Sequence, residues 1–293
     1  MAPIMVGGSI LMGKVKYIFV ALKVAKFGPL ASMVISSFAY SFIFGPAYAV
    51  GMVGLIFCHE CGHAIVMRYY NIPFSPMVFV PFMGAVIVMK DKPKNAFQDA
   101  MVAFGGPVLG TVSAAVVATA AMTTNSQLLH ALADWGYLIN LFNLLPIGSM
   151  DGGRIGNAIS PHIGALGVTA GGAMIYYNAV SNPIFYLIML GGTYTTASRY
   201  FGWDKEDPSY YQIPPSQQTG LFGGYVGLIA TLLLLKAQND KSRLTPRQLE
   251  AQAAGHTVSV DNQKDDGVYD DYFPDLNKYY GFTDNDDDER GKE

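Results

Sequence analysis

Long apolar stretches alternate with short polar or Gly/Pro-containing breaks through most of the chain. A helix that crosses a bilayer needs about 20 mainly apolar residues. Seven candidate stretches occur, at residues 30–44, 47–69, 97–122, 127–146, 163–178, 183–198 and 219–236. The first is short for a span and needs tilt or flanking residues to cross. The pattern therefore predicts an all-α multi-pass membrane bundle of about six or seven transmembrane helices.

The segment between the second and third stretches has a different pattern. It reads PFSPMVFVPFMGAVIVMKDKPKN, with Val-rich runs interrupted by Pro76, Pro81 and Gly84. Proline stops a helix, and short Val- and Phe-rich runs favour strands. A bare strand edge does not survive against lipid. We therefore predict a small membrane-associated β hairpin over residues 77–89, covered by protein or lining a cavity.

Composition supports the membrane assignment and limits the partners. The chain is 51% hydrophobic and 14% charged, whereas soluble domains have about 25% charged residues. We expect an integral, multi-pass membrane protein in contact with the lipid bilayer; the sequence does not identify the membrane or the oligomeric state. No basic stripe is present that could follow phosphates, so nucleic acid is not an expected partner.

Charge divides the chain into three predicted regions. Residues 1–27 contain four lysines among apolar residues, which is typical of an interfacial segment. Residues 28–236 form a predicted transmembrane domain. Residues 237–293 form an acidic tail, and its composition predicts disorder; a short docking segment around Tyr269, Tyr272 and Phe273 is the alternative. Lysines before the first span and after the second place that side in the cytosol.

The second span contains the candidate chemistry, in the sequence HECGH. His59 and His63 are four residues apart, so they share one helix face and can bind one metal ion. Glu60 is rotated by about 100° and can reach a metal-bound water without being a ligand. Buried ionisable groups in a span need partners, and one Zn²⁺ per chain would supply them. The C-x-x-C formed by Cys58 and Cys61 lacks the βαβ context of a redox motif, so we interpret these cysteines as small packing residues.

A catalytic zinc site needs a third protein ligand. Asp151 lies just after the fourth span, and two crossings after HECGH return the chain to the same side of the bilayer. We therefore predict Asp151 as the third ligand. His162 is a spare candidate on that side, and Asp91 and Asp99 are weaker candidates that we expect to be solvated.

These motifs, in this order, resemble the site-2 protease family of intramembrane zinc metalloproteases, in its compact form without PDZ or CBS domains. The resemblance rests on HECGH, on FGGPVLG in the next span, and on an N-x-x-P-x-x-x-x-D-G-G motif from Asn143 to Gly153. It implies that His59, His63 and Asp151 are zinc ligands and that Glu60 is the general base. It also implies that Asn143 stabilises the oxyanion and that a strand including Gly84, Ala85 and Val86 binds the substrate.

The implied function is hydrolysis of peptide bonds in or near the transmembrane segments of membrane-protein substrates, as in regulated intramembrane proteolysis. Two other functions remain open. The first is a catalytically silent metal-binding scaffold in the membrane, although such relatives would usually lose the glutamate or a ligand. The second is a metal transporter, which would distribute ligands along a path through several spans.

Overall fold

The computed structural model describes residues 28–178, 180, 183–203 and 207–244. The chain divides into two units, Met1–Asp240 and Lys241–Glu293, and residues 241–244 are the described part of the second. The predicted interfacial segment 1–27 and residues 245–293 of the predicted acidic tail lie outside the described residues. The three predicted regions therefore stay predictions.

Eight α-helices and one two-stranded sheet occur within the described residues. Each of the seven predicted stretches falls on a helix, and one short additional helix, α5, begins at Asp151. The helices are α1 (Gly28–Phe44), α2 (Pro46–Tyr69), α3 (Ala96–Thr124), α4 (Gln127–Asn143), α5 (Asp151–Ile159), α6 (Pro161–Tyr176), α7 (Pro183–Tyr200) and α8 (Pro215–Lys241).

The predicted mostly helical membrane fold is supported by three of these helices. Within the described residues, α2, α3 and α8 are long and apolar enough to cross a bilayer, and α1 is a shorter apolar helix of 17 residues. Several apolar side chains of α1 are exposed, as expected for a surface in contact with lipid. The count of six or seven crossings stays a prediction.

Local sequence explains where the central helices begin. Gly45 has a φ of 78°, and Pro46 follows it as the first residue of α2, where proline is favoured because the missing N–H has no helical partner. Asn95 caps α3 by accepting a hydrogen bond from the Gln98 N–H at 3.0 Å. Ser126 caps α4 in the same manner.

Helix α3 is the centre of the bundle, because it packs against α2, α4 and α5. The α2–α3 contact is unusually close. A Cβ atom built on Gly62 would lie 2.0 Å from the Gly105 carbonyl oxygen, and one built on Gly105 would lie 2.4 Å from the Gly62 carbonyl oxygen. Small residues allow such backbone approach between helices in membranes, and here the approach lies beside HECGH.

The predicted hairpin is present. Strands β1 (Val78–Val80) and β2 (Gly84–Val86) are antiparallel, with Phe79 opposite Ala85. Gly84 adopts a φ of 96° at the turn, in the left-handed region that favours glycine. The hairpin is attached to α1, since the Phe79 N–H donates to the Ser32 hydroxyl oxygen at 3.1 Å.

Candidate metal centre

Two histidines on one face of α2 form the base of the site. The Nε2 atoms of His59 and His63 are 3.2 Å apart, as the i, i+4 spacing predicts. Both rings are buried, and so is the Glu60 side chain between them in sequence. His59, Glu60 and His63 form a cluster that could hold a metal ion.

Asp151 joins this cluster from the first turn of α5. Its Oδ2 atom lies 3.2 Å from His59 Nε2 and 3.4 Å from His63 Nε2. The structure therefore brings together the three residues that were predicted as ligands. Tetrahedral zinc with ligand bonds of about 2.0–2.1 Å requires ligand atoms about 3.3–3.4 Å apart, and the three observed separations fit one face of such a tetrahedron.

The hydrogen bonds of the two imidazole rings indicate which nitrogen of each ring carries the proton. His59 Nδ1 lies 2.8 Å from Asn140 Oδ1, and His63 Nδ1 lies 2.7 Å from the Val102 carbonyl oxygen. Each Nδ1 therefore carries the proton and donates it, and each Nε2 presents a lone pair. Two imidazole lone pairs and a carboxylate oxygen then face one another in a buried space. A cation fits that donor set, because three acceptors without a positive charge would repel.

Asn140 is a residue that the sequence interpretation missed. Its side chain is buried, and its Nδ2 donates to the Gly136 carbonyl oxygen at 2.7 Å, which fixes Oδ1 towards His59. A Cβ atom on Gly110 would lie 2.2 Å from Asn140 Oδ1, so glycine at that position leaves room for the amide. An asparagine in the last turn of the apolar α4 was the available signal, since amides inside spans usually have a specific partner.

Asn143, the asparagine predicted to stabilise the oxyanion, lies one helical turn further along α4. Its Nδ2 donates to the Ile139 carbonyl oxygen of the same helix at 3.0 Å. Its catalytic role therefore stays a prediction.

Glycines leave the space in which these groups meet. A Cβ atom on Gly106 would lie 2.3 Å from His63 Nε2 and 2.7 Å from His59 Nε2. A Cβ atom on Gly152 would lie 2.0 Å from the Leu144 carbonyl oxygen. The D-G-G glycines are thus required because α5 packs closely against the preceding loop, where a side chain would not fit.

The hairpin lines the same cavity as Glu60 and two of the predicted metal ligands, His63 and Asp151. Its volume is about 160 Å³, and strand β2 contributes Ala85 and Val86 to the wall that Glu60, His63 and Asp151 complete. Gly84 precedes them at the hairpin turn. A strand edge therefore lies beside the candidate catalytic glutamate.

An arginine connects Asp151 to an acid that we expected to be solvated. Arg154 Nη2 lies 2.6 Å from Asp99 Oδ1, and Arg154 Nη1 lies 4.0 Å from Asp151 Oδ1. The expectation for Asp99 was wrong, because α5 packs on the first turn of α3 and places the guanidinium there. Burial alone would lower the pKa of Arg154, but Asp99 and Asp151 raise it above its ordinary value.

The spare candidate His162 and a further histidine of the bundle, His130, have other partners. His162, on α6, is exposed and hydrogen-bonded to the Tyr200 hydroxyl. His130, at the start of α4, is buried, and its Nδ1 lies 2.8 Å from Asn239 Oδ1. Both histidines therefore have neighbours outside the His59–His63–Asp151 cluster.

Comparison with known proteins supports the same class of site. Residues 47–134 match the family model of Peptidase family M50. The chain is 29% identical to "Putative zinc metalloprotease Rip3" of Mycobacterium tuberculosis over 123 residues. That alignment covers 39% of this chain and 30% of the Mycobacterium protein. It is also 28% identical to "Zinc metalloprotease MJ0392" of Methanocaldococcus jannaschii over 106 residues, and that alignment covers 34% of this chain and 30% of the Methanocaldococcus protein.

These matches confirm the resemblance to the site-2 protease family and the metallopeptidase class that the motifs predicted. Each alignment spans about a third of the curated relative's length. The family model covers HECGH and ends before Asn140 and Asp151. The assignment of those two residues therefore rests on the geometry of the site.

Proposed function

We propose, with the M50 match of residues 47–134 as the premise, that this chain is an intramembrane zinc metalloprotease. Its substrates would be membrane proteins, cut in or near a transmembrane segment as in regulated intramembrane proteolysis. The supporting observation is the convergence of three buried acceptors on one point, at 3.2, 3.2 and 3.4 Å from one another.

His59, His63 and Asp151 would hold the zinc ion through Nε2, Nε2 and Oδ2. Zinc bound by three protein ligands lowers the pKa of its water to about 7 and polarises carbonyl groups. Asn140 and the Val102 carbonyl orient the two imidazoles and fix their tautomers. The chain thereby supplies a site with one position open to water.

Glu60 is the proposed general base. It follows His59 on α2, and its side chain lines the cavity that His63 and Asp151 also line. Its carboxylate takes a proton from the attacking water and afterwards delivers it to the leaving amine. The oxygen of that water forms the new bond to the carbonyl carbon, the peptide C–N bond breaks, and the proton that Glu60 held ends on the new amino group.

The free edge of β2 is the proposed substrate-binding element. In an antiparallel pair, the backbone groups of opposite residues either bond to each other or both point away. The Phe79 N–H points away, to Ser32 on α1. Its partner Ala85 therefore directs its N–H and C=O to the opposite edge, where an extended substrate segment can pair with them.

This edge addresses the main difficulty of proteolysis in a membrane. A helical substrate has its carbonyls occupied by internal hydrogen bonds, and unpaired backbone groups are costly in lipid. Pairing with Ala85, flanked by Gly84 and Val86, replaces those bonds when the substrate unwinds. Asn143 remains the candidate donor to the oxyanion, as the family resemblance implies.

The test is the variant Glu60→Gln in purified protein reconstituted in nanodiscs. We expect the variant to keep zinc, measured by elemental analysis, and to lose cleavage of a reconstituted single-span substrate. Wild-type protein that contains zinc but cuts none of a panel of single-span proteins would favour the scaffold. Zinc flux into vesicles that persists in Glu60→Gln would favour a transporter.

A further inference from the structure

The two oxygens of the Asp151 carboxylate face different groups. Oδ2 faces the imidazoles of His59 and His63 at 3.2 and 3.4 Å. Oδ1 faces the guanidinium of Arg154, whose Nη1 is 4.0 Å away. A carboxylate can bind a metal through one or both oxygens, so the group beside Oδ1 influences which mode is used.

Arg154 is itself fixed by a partner on another helix. Its Nε and Nη2 lie 3.2 and 2.6 Å from Asp99 Oδ1, and Nη2 also donates to the Asp99 carbonyl oxygen at 3.4 Å. Three hydrogen bonds to one residue hold a guanidinium in a defined plane. Asp99 lies in the first turn of α3, so the central helix determines where the guanidinium lies.

We propose that Arg154, held by Asp99, is a positioning residue that keeps Asp151 a one-oxygen ligand of the metal. The positive charge next to Oδ1 stabilises the carboxylate and opposes rotation of that oxygen towards the metal. It also offsets part of the negative charge that Asp151 brings into a buried site. This inference depends on the proposed function, because it assumes a metal between the three ligands.

The charges around this pair are consistent with that role. Asp99 and Asp151 are the acids in contact with the guanidinium, and Met89 of the hairpin approaches it with its sulfur at 3.9 Å. Arg154 lines the cavity of the candidate site and also a second cavity of about 230 Å³ beside it. The arginine side chain is thus part of the walls of both cavities.

The chain offers a matched control in an arginine that contacts the same short helix, α5, from α7. Arg199 of α7 donates from Nη1 to the Asn157 carbonyl oxygen at 2.6 Å and stacks on the Tyr211 ring. It therefore attaches α5 to a neighbouring helix, as Arg154 does, through a residue outside the metal cluster. Arg199→Gln reports the effect of loosening α5, and Arg154→Gln adds the loss of the charge beside Asp151.

The experiment measures zinc affinity and the visible spectrum of the cobalt-substituted protein, for the full chain in detergent. We expect Arg154→Gln and Asp99→Asn to weaken zinc binding by about 10- to 100-fold, the usual effect of losing an outer partner of a ligand. Their cobalt spectra should lose intensity, because a second Asp151 oxygen would change a four-coordinate ion to a five-coordinate one. Arg199→Gln should match wild type in both measurements.

Each outcome decides the proposal. Asp99→Asn leaves the arginine and the ligands in place, so it tests the role even if Arg154→Gln fails to fold. Wild-type zinc affinity and an unchanged cobalt spectrum in Asp99→Asn and any folded Arg154 variant would overturn the positioning role and leave the proposed function intact. Equal losses in Arg199→Gln would show a general effect of loosening α5 and would also overturn it. Wild-type protein that binds no zinc would refute the proposed function, and this role with it.

Discussion

Replacing Gly106 with alanine adds one methyl group directly beside the Nε2 atoms of the two histidines that are predicted to bind the metal. The new Cβ would lie 2.3 Å from His63 Nε2 and 2.7 Å from His59 Nε2. Ordinary contacts begin near 3.4 Å, so His63 and α3 must separate by about 1 Å. Neither can easily move, because His63 is hydrogen-bonded to the Val102 carbonyl and the α2 and α3 backbones already touch at Gly62 and Gly105.

The expected losses of stability and of activity follow from that displacement. Overpacking a close-packed interior costs about 1–3 kcal/mol of stability, which an apolar bundle of this size can tolerate. A shift of about 1 Å in catalytic groups can lower activity by about 100-fold. We therefore expect folded Gly106→Ala protein with weakened zinc binding and about 100-fold slower cleavage.

The assay compares Gly106→Ala with Gly54→Ala, a control on α2 whose added Cβ meets nothing within 4 Å. Zinc affinity is measured by competition with a chromophoric chelator, and cleavage is measured on a single-span substrate in nanodiscs. Thermal unfolding shows whether both variants fold. If Gly106→Ala bound zinc and cut substrate as Gly54→Ala does, the proposed metal position between His59, His63 and Asp151 would be wrong.

Two further variants test individual contacts. Asn140→Ala removes the acceptor for His59 Nδ1–H and should weaken zinc binding by about 10- to 100-fold. Asn140→Asp keeps an acceptor and should retain most of the affinity. Equal losses in both variants would contradict the assignment of the His59 proton to Nδ1. Ala85→Pro removes an N–H that does not take part in the hydrogen bonds between β1 and β2, so cleavage should fall while zinc content stays unchanged. Ala85→Ser is the control that keeps the N–H. Unchanged cleavage in Ala85→Pro would contradict substrate pairing at that edge.

Much of the helical framework could be predicted because the physical signals are local. Apolar stretches of sufficient length, a Gly45–Pro46 break and Val-rich runs interrupted by proline each act within a few residues. The helices begin and end close to the predicted limits, and α8 continues to Lys241, beyond the domain boundary predicted at 236. The pairing of HECGH with Asp151 could also be predicted, since counting membrane crossings limits which loops can meet.

The groups that orient the predicted ligands could not be predicted from such local signals. His59 and Asn140 are 81 residues apart, and Asp99 and Arg154 are 55 residues apart. No local periodicity connects such residues, and each pair forms only when the helices have packed at a particular distance and rotation. Asp99 therefore looked like an ordinary loop acid near lysines, although its carboxylate binds the half-buried guanidinium of Arg154.

These long-range contacts explain why α3 matters to a site for which it supplies no predicted metal ligand. The Val102 carbonyl fixes the His63 ring, and Asp99 fixes the arginine beside Asp151. Gly106 leaves room for both imidazoles, and Gly110 leaves room for Asn140. Each predicted ligand is thus oriented from α3, directly or through one intermediate residue. Because Asp99, Val102, Gly106 and Gly110 lie on one continuous helix, a displacement of α3 would move the groups that orient all three predicted ligands, so substitutions on its inner face should weaken metal binding.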